Sequence, residues 1–274
     1  MKETEKDFVE YLTEIGQTDF ANQMCNYRRN IIQIHLDKGI PNIPVGKSKY
    51  GGYPDLPPEI PYPTMSGYTE KRGKQKKRYE ACAMQLVLQI HLADLAAYDT
   101  ENLLPHTGML YFFWSGEIAP IHIKNDFYEN IADDPSHADF QKVIWYDGDV
   151  SRLKRTKPPL PYYSKYFTET FEEFPAHFSS NTDYESLGYV LDREAFDTLA
   201  ELAPDYDIDN LSCTSDKLFG YPTGGNRPSL HSNTHLLLQY DYSEGCLWNL
   251  YWLIADAELK KKDFSKTSFA FDMD

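Results

Sequence analysis

The sequence predicts a mainly β fold, of the β-rich α+β type. Duplicated antiparallel β modules would form one roll- or barrel-like body with peripheral N-terminal helices. Tyrosine, which favours β-structure, occurs 21 times. Short apolar runs bounded by Gly, Pro, Asn and Asp recur beyond residue 84, as is typical of strands separated by turns. Three short motifs of the first half also return in the same order in the second half, which indicates an internal duplication.

The repeated motifs define two modules of unequal internal spacing. KYGGYP at 49–54 corresponds to KLFGYP at 217–222, LVLQ at 86–89 to LLLQ at 236–239, and LYFFW at 110–114 to LYWLI at 250–254. The differences in spacing predict insertions in surface loops. We predict repeats at about 42–150 and 184–274 within a single domain over 1–274, because no flexible linker separates the halves.

The N-terminal segment, residues 4–38, is predicted to be helical. Apolar residues at helical spacing predict a first helix over 8–15, and a second that begins at Thr18 and continues to His35. Such helices are expected to pack on the outside of the β body. The Tyr-Arg-Arg run at 27–29 is interpreted as a solvated helix face in preference to a functional one.

Three loop segments have distinctive compositions. The segment 41–63 is too rich in proline and glycine for a helix or a central strand, and its tyrosines and isoleucines predict an ordered loop over the core. The basic tract at 71–78 is expected to be a mobile, solvated loop, because the acidic remainder of the chain opposes docking of nucleic acid. The second basic run, 152–157, contains Leu153 and equally fits an edge strand protected by charge.

The rest of the chain is predicted to consist mainly of strands. They are expected at 84–90, 108–114, 118–123, 141–145, 185–191, 236–240, 250–254 and 267–271. A helical turn is predicted at 91–97, and irregular connections at 125–140 and 158–180. Asp192 is predicted to cap a helix that ends before Pro204.

The charge balance is strongly acidic. Forty-two Asp and Glu residues against 27 Lys and Arg give a net charge of −15. Such a surface repels nucleic acid and anionic membranes, and it favours a basic protein partner or solubility alone. The four cysteines are scattered, which indicates reduced thiols. Because there is no signal-peptide pattern and no membrane-spanning run, we expect a cytoplasmic protein of undetermined oligomeric state.

The repeated motifs supply the candidate ligand- or partner-binding residues. These are Tyr53, Tyr221, Gln89, Gln239, Asp241 and Trp252. The two tyrosines would flank a cleft, or would anchor the corners of their repeats; Gly52, Pro54, Gly220 and Pro222 are interpreted as structural turns. Each glutamine lies in an apolar strand, so its amide either binds neighbouring backbone or its repeat mate, or converges with the other amide on a ligand.

Metal and catalytic motifs are weak. Residues 205–216 imitate a calcium loop, but Asn210 stands where glycine is needed and the last ligand, Asp216, is short. His231 and His235 lead into a strand, where their spacing separates them too far for a compact metal site. No nucleophile motif, phosphate loop or dinucleotide motif is present. We therefore expect no metal, no cofactor and no catalytic residue.

The order of these pieces resembles the YwqG-like family, a bacterial domain of unknown function. The resemblance rests on GGYPDLPP at 51–58, LQIHL at 88–92, LLPHTGMLYFFW at 103–114, KLFGYP at 217–222 and the closing run at 236–266. It covers nearly the whole chain. It implies a mostly antiparallel, duplicated β architecture with peripheral helices, and it implies no established activity.

Two functions remain open on these observations. The first is a non-catalytic cytosolic binding protein that engages a basic protein partner, as bacterial immunity proteins engage toxins. The second is a small-molecule or carbohydrate-binding protein, or an enzyme, that uses an aromatic cleft between the repeats. We favour the first, because the charge is one-sided and no catalytic group of residues stands out. A polar pocket between the repeats would favour the second.

Overall fold

A computed structural model of the chain describes residues 7–37, 39, 42–72, 75–115, 140–162, 172–208, 211–225, 227–242 and 248–273. Within these residues the helices are α1 (Phe8–Glu14), α2 (Thr18–Met24), α3 (Leu187–Val190), α4 (Arg193–Leu202) and α5 (Asp256–Lys260). None of the described helices is both long enough and apolar enough to cross a membrane.

The strands form one large sheet and three small ribbons. The first eight are β1 (Arg28–Leu36), β2 (Lys49–Tyr50), β3 (Asp55–Leu56), β4 (Thr64–Met65), β5 (Tyr68–Arg72), β6 (Gln75–Tyr79), β7 (Cys82–Ala83) and β8 (Gln85–His91). The others are β9 (Met109–Trp114), β10 (Gln141–Tyr146), β11 (Lys154–Arg155), β12 (Phe174–Tyr184), β13 (Lys217–Leu218), β14 (Thr234–Tyr242), β15 (Trp248–Ala255) and β16 (Ser268–Met273).

The large sheet places the repeated motifs at equivalent positions. Its order is β10-β9-β8-β2-β12-β1-β13-β14-β15-β16, so the β8–β10 meander at one end corresponds to β14–β16 at the other. Lys49 pairs with Gln89 and Gln89 with Tyr111, just as Lys217 pairs with Gln239 and Gln239 with Tyr251. Both meanders also carry a register shift, between Leu86 and Leu88 and between Leu236 and Leu238.

The centre of the sheet interlocks the two repeats. Strand β1 precedes the first repeat along the chain, yet it pairs with β13 of the second. Strand β12 precedes the second repeat, yet it pairs with β2 of the first. The two exchanged strands pair with each other over nine residues, from Arg28 opposite Tyr184 to Leu36 opposite Ala176. Each repeat therefore borders, through its short strand β2 or β13, on the strand that leads into the other repeat.

The sheet is antiparallel and nearly closed into a barrel, which confirms the predicted mainly β fold. At the seam, the side-chain amide of Gln141 donates to the carbonyl of Thr267 (2.8 Å). The inner face holds one apolar cluster to which both repeats contribute. In it the equivalent residues Phe112 and Trp252 meet edge to face, with 5.7 Å between ring centroids.

Separate apolar clusters cover the outside of the sheet. One lies on the first meander around Tyr111 and Phe113, and a smaller one lies on the second around Leu236 and Tyr251. The N-terminal helices pack with α4 in a third cluster, which includes Phe8, Leu12, Met24, Tyr184 and Leu199. The outer location expected for the helices is therefore observed for α1 and α2.

The predicted helical segment 4–38 was wrong in its second half. Helix α2 ends at Met24, and residues 28–36 form β1 in the middle of the sheet. Isoleucines 31, 32 and 34 are all buried there. Their β-branched side chains suit a strand. The backbone of β1 is hydrogen-bonded to a strand on each side, and the spacing of apolar residues along the sequence does not reveal such distant partners.

Three other predicted segments also differ. The region 158–180 was expected to be irregular and 185–191 to be a strand, but Phe174–Tyr184 is a strand and Leu187–Val190 a helix. The basic tract predicted to be a mobile loop forms the hairpin β5–β6. The predicted strand at 118–123 lies outside the described residues. The predicted helix after Asp192 is confirmed, with the Asp192 carboxylate accepting from Ala195 N (2.8 Å).

Fragments 42–150 and 184–274, produced separately, should fail to fold. Each lacks the exchanged strand that pairs with its β2 or β13, and each exposes the inner face that the other repeat covers. Circular dichroism and amide hydrogen exchange would test this, with the full chain as the control. A folded, monomeric half-chain would show that the two repeats are separable domains.

Candidate functional site

Each Gly-Tyr-Pro loop is anchored by a fully buried lysine. In the second repeat, Lys217 Nζ donates to Asp183 Oδ2 (2.7 Å) and to the carbonyl of Cys213 (2.5 Å). In the first, Lys49 Nζ donates to the carbonyl of Tyr53 (2.6 Å) and to Glu173 Oε2 (3.0 Å). Strand β12 and the residue before it therefore supply the carboxylate for both lysines.

The glutamines and tyrosines of the meanders complete the anchor. The side-chain oxygen of Gln89 accepts from Asp55 N, and that of Gln239 accepts from Thr223 N, both at 2.9 Å. The hydroxyl of Tyr111 donates to the carbonyl of Asp55, as that of Tyr251 does to Thr223. Both amides thus bind loop backbone, and neither contacts its repeat mate. Tyr251 was not singled out in the sequence, although it stands at the position of the second repeat that matches Tyr111.

The glycine of each loop allows the carboxylate to approach. Gly52 and Gly220 have φ angles of +66° and +78°. A β-carbon at Gly52 would lie 2.2 Å from Glu173 Oε2, and one at Gly220 would lie 2.3 Å from Asp183 Oδ2. Any larger residue would displace the anion from the loop. Pro54 and Pro222 are buried beside these glycines.

The first anchor is a network of four charges. Arg155 Nε donates to Asp55 Oδ1 (2.6 Å), and its Nη1 donates to Glu173 (3.1 Å). Burial lowers the pKa of Lys49, although Asp55 and Glu173 favour its charged form. Arg155 belongs to β11, so one residue of the second basic run reaches inward. In the sequence, the only signal at this position was Leu153 within a run of basic residues. That pattern fitted an edge strand, but it did not indicate the ion pairs of Arg155.

The six predicted binding residues do not converge on one place. Gln89, Gln239 and Trp252 are completely buried, and Trp252 lies in the inner core. Tyr221 is 7% exposed, whereas Tyr53 is partly buried. Asp241 is exposed on β14. Tyr221 contacts Arg29, which lines the cleft described next.

A cleft of about 350 Å³ lies where the two repeats and β1 meet. One wall is formed by Arg28, Arg29 and Asn30 at the start of β1. Leu103 and Glu101 of the first repeat form another. From the second repeat, Phe219 and Gly220 of the Gly-Tyr-Pro loop and His235 of β14 close it. Cys25 and Leu236 complete the lining, so the cleft is lined by polar and apolar groups in similar measure, with Phe219 and the His235 imidazole as its aromatic side chains.

The wall at 99–104 is tied down by a buried carboxylate and a lysine. The Asp99 oxygens accept from Leu103 N (2.9 Å) and Leu104 N (2.7 Å). Lys262, which belongs to the second repeat, donates to the carbonyl of Leu103. Because residues of both repeats hold this wall, the cleft depends on the assembled sheet and not on either repeat alone.

Phe219 has a backbone conformation that is unusual for its type. Its φ is +67°, and the residue at the equivalent position of the first repeat is Gly51, with φ +63°. A bulky side chain in this left-handed region costs on the order of 1–3 kcal/mol. The fold accepts glycine there, yet the second repeat holds a phenylalanine whose ring is buried against the cleft and the inner core.

The calcium-like segment 205–216 is described except for residues 209 and 210. Among the described residues, no group of three or more His, Cys, Asp or Glu side chains is arranged to hold a metal ion. Its last residue, Asp216, accepts a hydrogen bond from Asp241 N (2.7 Å), and burial raises the pKa of its carboxyl to about 7. Burial also raises the pKa of the Asp241 carboxyl.

The family model of a domain of unknown function, DUF1963, matches residues 48–272. The chain belongs to this family. A search of curated proteins found no match. The DUF1963 match begins one residue before Lys49 and ends within β16, so it includes both loop anchors and most of the residues that line the cleft. Helices α1 and α2 and strand β1 precede it.

Arg29 precedes the DUF1963 match, and it connects β1 to the second Gly-Tyr-Pro loop beside the cleft. The sequence had indicated a solvated helix face for this residue. Its guanidinium lies 4.3 Å from the centroid of the Tyr221 ring and donates to the carbonyl of Gly220 (3.4 Å). If residues 28–36 had been predicted as a strand, Arg28 and Arg29 would have been assigned to opposite faces of the sheet, because successive side chains of a strand alternate. The apolar residues at 31, 32 and 34 do not by themselves distinguish the two periods.

Breaking the second anchor should destabilise this DUF1963 domain strongly. The variant Lys217→Met leaves the Asp183 carboxylate buried without its cation, so we expect a loss of about 3–5 kcal/mol in the free energy of unfolding. The double variant Lys217→Met/Asp183→Asn should lose less than the sum of the single variants. Lys49→Met should cost less, because the Glu173 side chain is 24% exposed and water can reach it.

Urea unfolding measures these differences. Arg193→Ala, which breaks the exposed pair with Asp197, is the matched control and should leave the midpoint unchanged. Strict additivity of the Lys217 and Asp183 variants would show that the two side chains do not act as a pair.

A second prediction concerns pH. The folded chain keeps the Asp216 proton up to about pH 7, whereas an ordinary Asp releases it near 3.8. Between these values the folded state binds more protons than the unfolded one, so stability from this group falls as the pH rises. Asp216→Asn should therefore raise the melting temperature above pH 7 and match the wild type near pH 4.

Thermal melts from pH 4 to pH 8 provide the measurement. Asp205→Asn, which removes the same charge from an exposed position, is the control. A difference between Asp216→Asn and wild type that is constant with pH would contradict the raised pKa.

Proposed function

We propose that this chain is a non-catalytic binding protein whose cleft between the repeats receives a small molecule. The observation that carries the proposal is the cleft of about 350 Å³ lined by both polar and apolar groups, which is within the size range of small-molecule sites. The conformation of Phe219 supports it, because backbone strain is retained where it serves a site. We also propose that the chain is a bacterial, cytoplasmic member of the YwqG-like group.

Binding without catalysis is favoured by how the cleft's acid–base groups are occupied. Glu101 Oε1 accepts a hydrogen bond from the Asn30 amide (3.3 Å). His235 Nε2 lies 3.3 Å from Asp256 Oδ1. Each group is thus hydrogen-bonded to a neighbour. Among the described residues, neither is hydrogen-bonded to Cys25, the thiol that also lines the cleft, as an acyl-transfer or hydrolytic site would require.

The test is a thermal-shift screen of ligands that compares the wild type with a variant whose cleft is filled. Leu103→Trp places an indole in the cleft at a partly exposed loop position, so it should block ligands while leaving the fold intact. Carboxylates, phosphates, amino acids, nucleotides and sugars at millimolar concentration form the panel. At least one class should raise the melting temperature of the wild type saturably and should leave Leu103→Trp unaffected.

The control is Leu160→Trp, the same substitution at an exposed leucine outside the cleft, which should respond like the wild type. Equal stabilisation of Leu103→Trp and wild type would place the binding elsewhere. A panel that stabilises none of the three proteins would speak against the proposed function.

The second candidate, a basic protein partner, is favoured by the net charge of −15. Of the residues singled out in the sequence, Asp241 is exposed and Tyr53 is partly exposed, so such a partner could contact both. Tyr221 is buried under Arg29, so it fits this role less well. A protein partner that binds Leu103→Trp and wild type equally would support this candidate and exclude the cleft from its interface.

A further inference from the structure

Arg29 differs from the other cationic side chains of the cleft. Arg28 Nε lies 3.2 Å from Asp7 Oδ2, and His235 faces Asp256. Among the residues that the structure describes, no carboxylate lies within ion-pairing distance of Arg29. Its guanidinium is nevertheless only partly exposed to solvent. The cleft therefore contains a cation whose counter-charge is not supplied by the described protein.

The nearest carboxylate in the sheet is already occupied. Asp183 stands opposite Arg29 in the pairing of β1 with β12. Its Oδ2 accepts from Lys217 Nζ (2.7 Å) and from Tyr221 N (2.8 Å), and its Oδ1 accepts from Cys213 N (2.7 Å). An aspartate with three donors on its two oxygens is directed toward the loop anchor, so Arg29 is left to face the cleft.

The guanidinium of Arg29 is held in place before any ligand arrives. It stacks on the Tyr221 ring at 4.3 Å and is bonded to the carbonyl of Gly220. The anchor itself positions both contacts, because Tyr221 N donates to Asp183 Oδ2 and Gly220 packs directly against the same carboxylate. A cation fixed in this way loses little conformational entropy on binding, which favours recognition of an anion.

We propose that the cleft binds small molecules that carry one anionic group, a carboxylate or a phosphate, and that Arg29 holds this group. Phe219 and Leu103 contact the apolar part of the ligand. Glu101, on the facing wall, opposes ligands with several negative charges. This inference rests on the proposed small-molecule function and adds the chemical class of ligand to it.

The experiment uses three probes of similar shape. They are 3-phenylpropanoate, phenyl phosphate and the neutral 3-phenylpropanamide, each titrated into the full chain by isothermal calorimetry or NMR. At least one of the two anions should bind more tightly than the amide. The comparison between the two anions then shows whether carboxylate or phosphate is preferred.

Two variants assign the effect to Arg29. Arg29→Gln should weaken binding of the anion about tenfold or more, because a hydrogen bond to a charged group is lost. Arg29→Lys keeps the charge but loses the stacked, forked geometry, so it should fall between Arg29→Gln and wild type. Arg193→Gln removes the same charge from an exposed helix and should bind like the wild type. Urea unfolding of each variant shows that the fold is retained.

The failures of the two proposals are distinct. If the amide binds as tightly as the anions and Arg29→Gln changes nothing, while Leu103→Trp still blocks binding, the cleft is a small-molecule site without an anion receptor and this inference is overturned. If no probe binds and the panel also fails, both proposals are overturned together. Weaker anion binding in Arg29→Gln, with Arg29→Lys intermediate, supports the inference.

Discussion

The ion pair between Lys217 and Asp183 is the interaction on which the second half of the structure depends. Both side chains are fully buried, so their desolvation costs several kcal/mol per ion unless hydrogen bonds compensate. The compensation is complete around Asp183, which accepts from the lysine and from two backbone amides. The pair therefore does more than add stability, since it fixes where the loop 213–223 crosses the sheet and so where Phe219 and Gly220 stand in the cleft.

The two repeats use one skeleton with different charges. Lysine, glutamine and tyrosine recur at the same register positions, and the glutamine and the tyrosine make the same contacts to the loop backbone in both repeats. The first repeat adds Asp55 and Arg155 and closes a four-charge network. The second has Thr223 where the first has Asp55, and Phe219 where the first has Gly51. The first anchor is thus electrostatically complete, whereas the second repeat presents its loop to a cleft.

The features that recur in both repeats could be predicted from the sequence. The features that depend on pairing between distant strands could not. Gln89 and Gln239 could be identified as bound amides, because a polar residue in an apolar strand needs a partner. Strand β1 could not be recognised, since its isoleucines fit a helix period nearly as well and its partners lie about 150 and 190 residues away along the chain. Arg29 and Arg155 were misjudged for the same reason: nothing adjacent to either in the sequence indicates the contacts that assembly of the sheet provides.

The acidic surface and the cleft act over different distances. Charges on the surface are screened beyond about 8 Å at physiological ionic strength, so the net charge of −15 influences how molecules approach the chain more than how they are held. Arg29 acts at contact distance, in a partly dehydrated wall where a charge-assisted hydrogen bond is stronger than in water. An anion must therefore be recognised through geometry and apolar contact against an unfavourable long-range field. That combination selects for small ligands with one anionic group and a complementary apolar surface, which is the chemistry that Arg29, Phe219 and Leu103 together present.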